Sequence, residues 1–303
     1  MGQKIGLIAA GGRFPFLIAG KAAERGDEVF VAALRGSASE EFETPVKLFQ
    51  WVSITQVGRI IDFFRECGVK EVIFAGAVNK AEMYSPTKFL RHPPDMRSIA
   101  LWRRLPDKKD LTILRAVADE FAGEGIEIIS CLKYLKDSLV PVGALTKRAP
   151  DEREQRDIEF GWRIARAMAG MDVGQSVVVK DKAVIAVEAM EGTDETIRRG
   201  GEIAHGGAVL IKFSRPGQDP RFDIPAAGPD TVRACAKSGV GVISLEAGRT
   251  LLFDKDEMIE LADKGKIAVH GFRPAVDDGR PATAGKQTTD DKSETRNAKK
   301  EIP

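Results

Sequence analysis

The chain has 303 residues, 43% of them hydrophobic and 30% charged, enough apolar material for one large core or two moderate ones. Its net charge of +1 gives no global electrostatic pull toward nucleic acid or an anionic membrane, and no nucleic-acid partner is expected. The three cysteines, Cys67, Cys131 and Cys235, are far apart and lack CxxC spacing, which argues against a zinc site or disulfide framework and fits reduced thiols in a cytoplasmic protein.

The opening "MGQKIGLIAAGGRFPF" has a short apolar run broken by a glycine pair, so it does not read as a signal peptide. Gly6 stands where a myristoylation site requires Ser or Thr, and no apolar run is long enough to span a bilayer. "KIGLIAA" predicts a buried strand, Gly11 and Gly12 a turn, and Pro15 the first turn of a helix running to about Arg25. "EVFVAAL", "VKLFQWV" and "EVIFAGAV" read as further strands. Ile60, Ile61, Phe63 and Phe64 carry helical spacing before a stop at Gly68. A helix over 107–125 precedes the strand "IEIIS". This alternation predicts a mainly parallel, Rossmann-like sheet covered by helices.

Pro141, Gly143 and Pro150 interrupt any regular pattern over 133–150, which reads as a linker. A helix with an acidic first turn follows over 151–169. "SVVVK" and "AVIAVEA" predict a hairpin around Asp181 and Lys182, and "DETIRRGGEIA" a helix. Next come the strand "GAVLIKF", the helix "PDTVRACAKSG", the strands "GVGVISLE" and "TLLFD", the helix "KDEMIELADKG" and the strand "KIAVHGF". The fold class is therefore α/β with two domains, 1–132 and a mixed catalytic domain 151–272, joined by the linker 133–150. Residues 273–303 have mixed charge and almost no large apolar side chains, which predicts a disordered tail.

Three candidate regions carry residues suited to phosphate, the first of them built from two strand ends. In "AAGGRFP", Gly11 and Gly12 sit between a strand and a helix, where backbone N–H groups can approach an anion, although the run is neither G-x-G-x-x-G nor a Walker loop. "FAGAVNK", with Gly76 and Asn79, is a second strand end that can share the carboxyl edge of the sheet. In "AVEAMEGTDETIRR", a strand delivers Glu188 and Glu191 to a glycine turn. Thr193 or Asp194 can cap the following helix, and Arg198 and Arg199 lie one turn on. Glu188, Glu191 and Asp194 supply hard oxygens for magnesium. A capping motif with a solvated charged face explains part of the same pattern.

The third segment, "RPGQDPRFDIPAAG", places charges among three prolines and two glycines, too broken for a long helix and too charged for plain core. With Lys212 ahead of it, Gln218, Arg221 and Asp223 form a dense phosphate-compatible run that Pro220 and Pro225 stiffen. Gln175, ahead of "SVVVK", joins the candidate substrate-binding set. Asp107 reads as a helix cap and Asp110 as a lesser candidate. His92, His205 and His270 are isolated, which argues against a dinuclear metallophosphoesterase, and no G-x-S-x-G elbow is present.

The runs "DVGQSVVVKDKAVIAVEAMEGTDETIRR", "GGAVLIKFSRPGQDPRFDIPAAGPDTV" and "GVGVISLEAGRTLLFDKDEMIELA" closely resemble the UDP-2,3-diacylglucosamine pyrophosphatases of lipid A biosynthesis, the magnesium-dependent type unrelated to calcineurin. "IGLIAAGGRFP", "FAGAV" and "DKKDLTILRAVADEFAGEGIEI" are similar to the same family, so the resemblance covers about residues 4–271. It implies two α/β domains holding a lipid-sugar between them, a magnesium cofactor, and water attack at the phosphorus next to the sugar. The products would be UMP and 2,3-diacylglucosamine 1-phosphate. The family's catalytic aspartate, in a D-[LI]-P motif, matches Asp223, with Arg221, Phe222, Ile224 and Pro225 around it. Arg13 and Phe14 in the glycine turn, and Lys108 to Asp110, depart from the family pattern and bear on substrate choice.

That reading implies a cytoplasmic enzyme in transient contact with the inner-membrane surface, and a homodimer is a further expectation. Two alternatives stand beside it. One is a dinucleotide-dependent oxidoreductase, for which Glu40 or Glu41 offers only a loose ribose ligand. The other is a non-catalytic protein that binds nucleotides or lipid-sugars.

Overall fold

Each strand run of the first half is apolar almost throughout, the pattern of a sheet covered on both faces. The computed structural model describes residues 2–38, 46–76, 78, 93–107, 109–171, 173–215, 219–222 and 224–273. The predicted disordered tail lies outside them from residue 274 on, as do Asn79, His92, Gln218 and Asp223.

Five parallel strands, β1 (Lys4–Ala9), β2 (Glu28–Leu34), β3 (Leu48–Val52), β4 (Glu71–Ala75) and β5 (Glu127–Ile128), form one sheet in the order β3-β2-β1-β4-β5. Helices α1 (Phe14–Glu24) and α2 (Val57–Glu66) follow β1 and β3. Helices α3 (Met96–Arg104) and α4 (Asp110–Gly123) lie between β4 and β5, and the short α5 (Leu132–Leu135) comes after β5. Alternate strand residues split between two cores. Ile8, Phe30, Ala32 and Val72 pack with Ile61 and Phe64 of α2 and Phe121 of α4. Ile5, Leu7, Val31 and Ile73 pack with Ile18 and Ala22 of α1 and Leu135 of α5.

Sequence periodicity does not announce α3, whose nine residues include three arginines. Asp95 is what fixes it: one carboxylate oxygen accepts from the Ser98 amide at 2.8 Å. The other accepts from the Arg59 amide of α2 at 3.2 Å, so a single side chain caps two helix starts.

The second sheet is mixed, in the order β6-β13-β11-β9-β7-β8. Its strands are β6 (Gly143–Ala144), β7 (Ser176–Lys180), β8 (Ala183–Val187), β9 (Ala208–Lys212), β11 (Val240–Glu246) and β13 (Ala268–Phe272). β9, β11 and β13 run parallel, β7 and β8 form the expected hairpin, and β6 adds an antiparallel edge. One face is covered by α6 (Glu152–Gly170), through Ile158, Trp162, Ala165 and Met168. The other is covered by α7 (Thr193–Ala204), α8 (Pro229–Ser238) and α9 (Lys255–Lys264), through Ile197, Val232, Cys235 and Met258. Two more short strands, β10 (Ala226–Ala227) and β12 (Leu251–Leu252), pair in parallel as a ribbon.

The stretch read as a linker has structure of its own. After α5 comes a 3-10 turn (Lys136–Ser138), then Leu139 bridges Leu251, and Val140 exchanges backbone hydrogen bonds with Thr250 and Gly248. Gly143 and Ala144 then pair with Gly271 and His270. Proline and glycine punctuation had signalled a break in helix, and here the broken chain supplies an edge strand. Residues up to Arg273 fall into a single compact unit.

Trp162 Nε1, Ser244 Oγ and His270 Nδ1 are buried without hydrogen-bond partners among the described residues, and Ser244 and His270 are register neighbours on β11 and β13. Burial holds the His270 imidazole below its ordinary range near 6.5. The folded chain therefore favours neutral His270. Its stabilising contribution is complete above the unfolded value and is lost as pH falls from there through the folded one. The thermal midpoint of His270→Gln should accordingly vary less between pH 7 and pH 5 than that of wild type; an identical slope would show that His270 does not contribute.

A Cβ on Gly271 would lie 1.7 Å from the Pro141 carbonyl oxygen. Gly271→Ala should therefore cost about 1–3 kcal/mol through overpacking, read as a lowered melting temperature in calorimetry. An unchanged melting temperature would mean that the 139–144 segment is not held against β13.

Candidate active site

The first cluster lies at the carboxyl edge of the first sheet, where the order reverses between β1 and β4, the usual ligand crevice of such folds. The Ala10 amide donates to the Ala75 carbonyl at 2.7 Å, tying the two strand ends together. Gly76 has φ of 95°, and a Cβ there would come within 2.5 Å of the Gly11 carbonyl oxygen. Only glycine suits that contact, so the structure brings Gly11, Gly12 and Gly76 together. Arg13, next in the turn, pairs with Asp254 at 3.1 Å, and the Phe14 ring sits 5.1 Å from that of Phe253. Arg13 and Phe14 thus meet the loop between β12 and α9.

The second cluster lies where β8 and β9 end and β7 begins. Glu188 accepts from the Thr193 hydroxyl at 3.0 Å and from the Gln175 amide at 3.2 Å. The same Thr193 hydroxyl oxygen accepts from Lys212 Nζ at 2.8 Å, and Ser176 Oγ stands 3.4 Å from it. Lys212 and Ser176 are buried. A cation, a carboxylate and two hydroxyls are thereby gathered at the start of α7, whose N-cap, Gly192, offers no side chain to its free amides.

The capping expected of Thr193 or Asp194 is corrected here. Gly192 is the N-cap, and Thr193 turns its hydroxyl to Glu188 and Lys212 instead. Asp194 lies in the first turn of α7, near enough to raise the Cys235 thiol, although burial is the larger cause.

The structure does not bring all of the predicted residues into this cluster. Glu191 pairs with Arg199 at 2.8 Å, and Arg199 also donates to the Val187 carbonyl at 2.8 Å. That pair braces the β8–α7 turn. Arg198 points along its own helix, bonded to Glu195 and, at 2.6 Å, to Glu202, an exposed arrangement of (i, i+3) and (i, i+4) partners. These bonds raise the Arg198 guanidinium and lower the Glu195 carboxyl. Spacing put both arginines one turn from the carboxylates, but the 100° step between neighbouring helix positions sends them to different partners.

Arg221 forms a two-oxygen ion pair with Asp219 at 2.7–3.1 Å, and its guanidinium stacks 4.9 Å from the Phe222 ring centre. The pair holds the Asp219 carboxyl below its usual range. Arg221 lines a cavity of about 730 Å³ at the strand starts, with Lys4, Glu71, Asp119 and Glu127. That is the end of the sheet opposite the glycine crevice, so the described geometry gives Arg221 a loop-ordering contact. Phe222 packs against Phe74 of β4 at 6.0 Å, on the core shared with α2 and α4. Ile224 packs on the opposite core, beside α1. The two neighbours of Asp223 are thus fixed on the two faces of the first sheet.

Sequence reading missed Ser176, Ser214 and Glu246, all buried at the carboxyl edge of the second sheet. The polar residues closing "ISLE" and "IKFS" were the available signal, since a buried strand rarely ends in a buried carboxylate without a partner. Among the described residues, no three His, Cys, Asp or Glu side chains gather as a metal group.

The N-terminal domain model of the LpxI family matches residues 4–138 and its C-terminal domain model residues 141–270. Two α/β sheets with polar carboxyl edges therefore belong to a two-part enzyme family, and the chain is a member of the LpxI family. It is 33% identical over 283 residues to the UDP-2,3-diacylglucosamine pyrophosphatase LpxI of Caulobacter vibrioides, covering 90% of this chain and 98% of that protein. A second relative, the bifunctional purine biosynthesis protein PurH of Caldicellulosiruptor bescii, is 29% identical over 181 residues, 54% of this chain but 31% of that protein.

Replacing Thr193 by Val keeps the shape but removes the oxygen between Lys212 and Glu188. The expected cost is about 1–3 kcal/mol, because buried polar groups lose a partner. Chemical denaturation measures it, and an unchanged midpoint would mean that the Thr193 contacts add nothing net.

Proposed function

We propose that the chain hydrolyses the pyrophosphate of UDP-2,3-diacylglucosamine to UMP and 2,3-diacylglucosamine 1-phosphate, a step of lipid A biosynthesis. The observation that carries this reading is the match to the Caulobacter enzyme over 98% of its length. The oxidoreductase alternative has less support, since neither family model nor that relative is a dinucleotide enzyme.

In this reading Asp223 is the catalytic carboxylate, binding the metal or orienting and deprotonating the attacking water. Phe222 and Ile224 on either side of it give its segment the fixed attachment that such a role requires. Lys212 and the free amides at the start of α7 suit the non-bridging phosphate oxygens, and the Gly11–Gly12 and Gly76 turns suit another part of the same polar substrate. Gln218 and Asn79 remain in the proposed substrate-binding set. Arg221 acts through Asp219 by ordering the loop.

Magnesium is the proposed cofactor. Glu188 and Asp194 supply hard oxygens near the start of α7, and with Asp223 they would hold the ion, whereas Glu191 is engaged by Arg199. When bound, magnesium would offset charge on the phosphate oxygens and lower the pKa of a coordinated water.

Among the described residues, no helix is long and apolar enough to cross a membrane. Transient contact of a cytoplasmic chain with the inner-membrane surface would bring it to a substrate with two acyl chains. Pairing of two copies would use an open sheet edge such as β8, where Val184 is 39% exposed.

The test is UMP release from UDP-2,3-diacylglucosamine. Wild type should turn over, EDTA should abolish release and added magnesium restore it, and Asp223→Ala should lose at least ~100-fold in kcat while staying folded. Undiminished turnover in Asp223→Ala would remove that residue from the chemistry. A folded wild type that releases no UMP would leave a binding protein as the better reading.

A further inference from the structure

Strand β11 ends in a buried carboxylate to which the reading above gives no role. Glu246 is 4% exposed, and its Oε2 accepts from both the amide and the hydroxyl of Ser214, each at 2.7 Å. Its Oε1 faces Arg249 Nε at 3.5 Å. Two donors on one oxygen and a guanidinium on the other leave the carboxylate one orientation, and a buried anion needs that degree of pairing.

The place of this contact gives it meaning. The ladder between β9 and β11 ends at Lys212 and Leu245, so Glu246 and Ser214 meet just beyond the last register pair. The contact is not required to align the strands. It carries their hold one step further, onto the residue from which the 215–223 segment departs. At the far end of that segment, the Ser130 hydroxyl donates to the Pro220 carbonyl at 2.8 Å, and Phe222 packs against Phe74. One end is thus gripped by a charged hydrogen-bond pair on the second sheet, the other by the first sheet.

We infer that Glu246 is a positioning residue for the hydrolysis, acting through Ser214 to hold the root of the segment that delivers Asp223. The inference rests on the reading of Asp223 as the catalytic carboxylate. Displacing a reacting group by ~1 Å costs on the order of 100-fold in rate, so loosening one of two anchors should act on turnover more than on binding.

The experiment compares full-length Glu246→Gln and Ser214→Ala with wild type, using UDP-2,3-diacylglucosamine. Glu246→Gln should lower kcat at least ~10-fold with KM within ~3-fold. Ser214→Ala, which keeps the amide bond, should lower kcat by a smaller factor, ~3-fold or more. Hydrogen exchange in peptides covering 213–227 should quicken in both variants, with β7 and β13 unaffected. A kcat within twofold of wild type in folded variants overturns the inference, as does a loss confined to KM. If Glu246→Gln fails to fold, Ser214→Ala is judged by the same criteria. Wild-type turnover in Asp223→Ala would overturn the reading of Asp223 itself, whereas an inactive Asp223→Ala beside a fully active Glu246→Gln would sink this inference alone.

Discussion

The structure depends on burying a short run of the second half against both faces of the first sheet. Phe222 packs on the core under α2 and α4, while Ile224, Ala226 and Phe253 pack on the core under α1. Each is an apolar side chain, and hydrophobic burial is insensitive to direction. Direction comes from the ribbon of β10 and β12, whose backbone pairs fix how the run lies. Phe222, Ile224 and Ala226 are held because their apolar side chains have to be covered.

The second sheet solves the opposite problem, keeping charge inside. Lys212, Glu246, Ser176 and Ser214 are all buried at or just beyond its carboxyl edge, and each has partners. In a low-dielectric setting such groups are costly when unpaired and rigid when paired. The edge is thus ordered by the hydrogen bonds its own polar groups make. Exposed pairs, such as Arg198 with Glu195 and Glu202, contribute little beyond solvation of a helix face.

The fold was largely legible because nearly every strand carried a continuous apolar run bounded by glycine, and nearly every helix a regular stripe. What escaped were short pieces set by partners distant in sequence. β10 is two residues long and exists because Leu251 and Leu252 lie alongside. β6 exists because β13 has an open side. Around the start of α7, the directions of the side chains were not legible in the sequence. Glu188, Thr193 and Lys212 converge because they share one edge, yet Arg198 and Arg199, adjacent in sequence, diverge because a helix turns between them. Asp223 was reached through the resemblance of its motif, since charge among prolines indicated only a phosphate-compatible loop. Ser214 and Glu246 are far apart in sequence, and only β9 and β11 lying side by side makes them a pair.

The boundary between the two family models, near residue 140, is not a boundary in the core. Leu251 is fully buried among Ile5, Leu7, Ile18 and Leu135, so the first sheet lacks part of its covering until that residue exists. At ~5–20 residues per second, a chain emerging from the ribosome would wait roughly 6–23 seconds between its first 138 residues and Leu251. The nascent first half therefore carries an unfinished apolar face, and the ribbon closes it late. The order of synthesis makes the second half the keystone of the first.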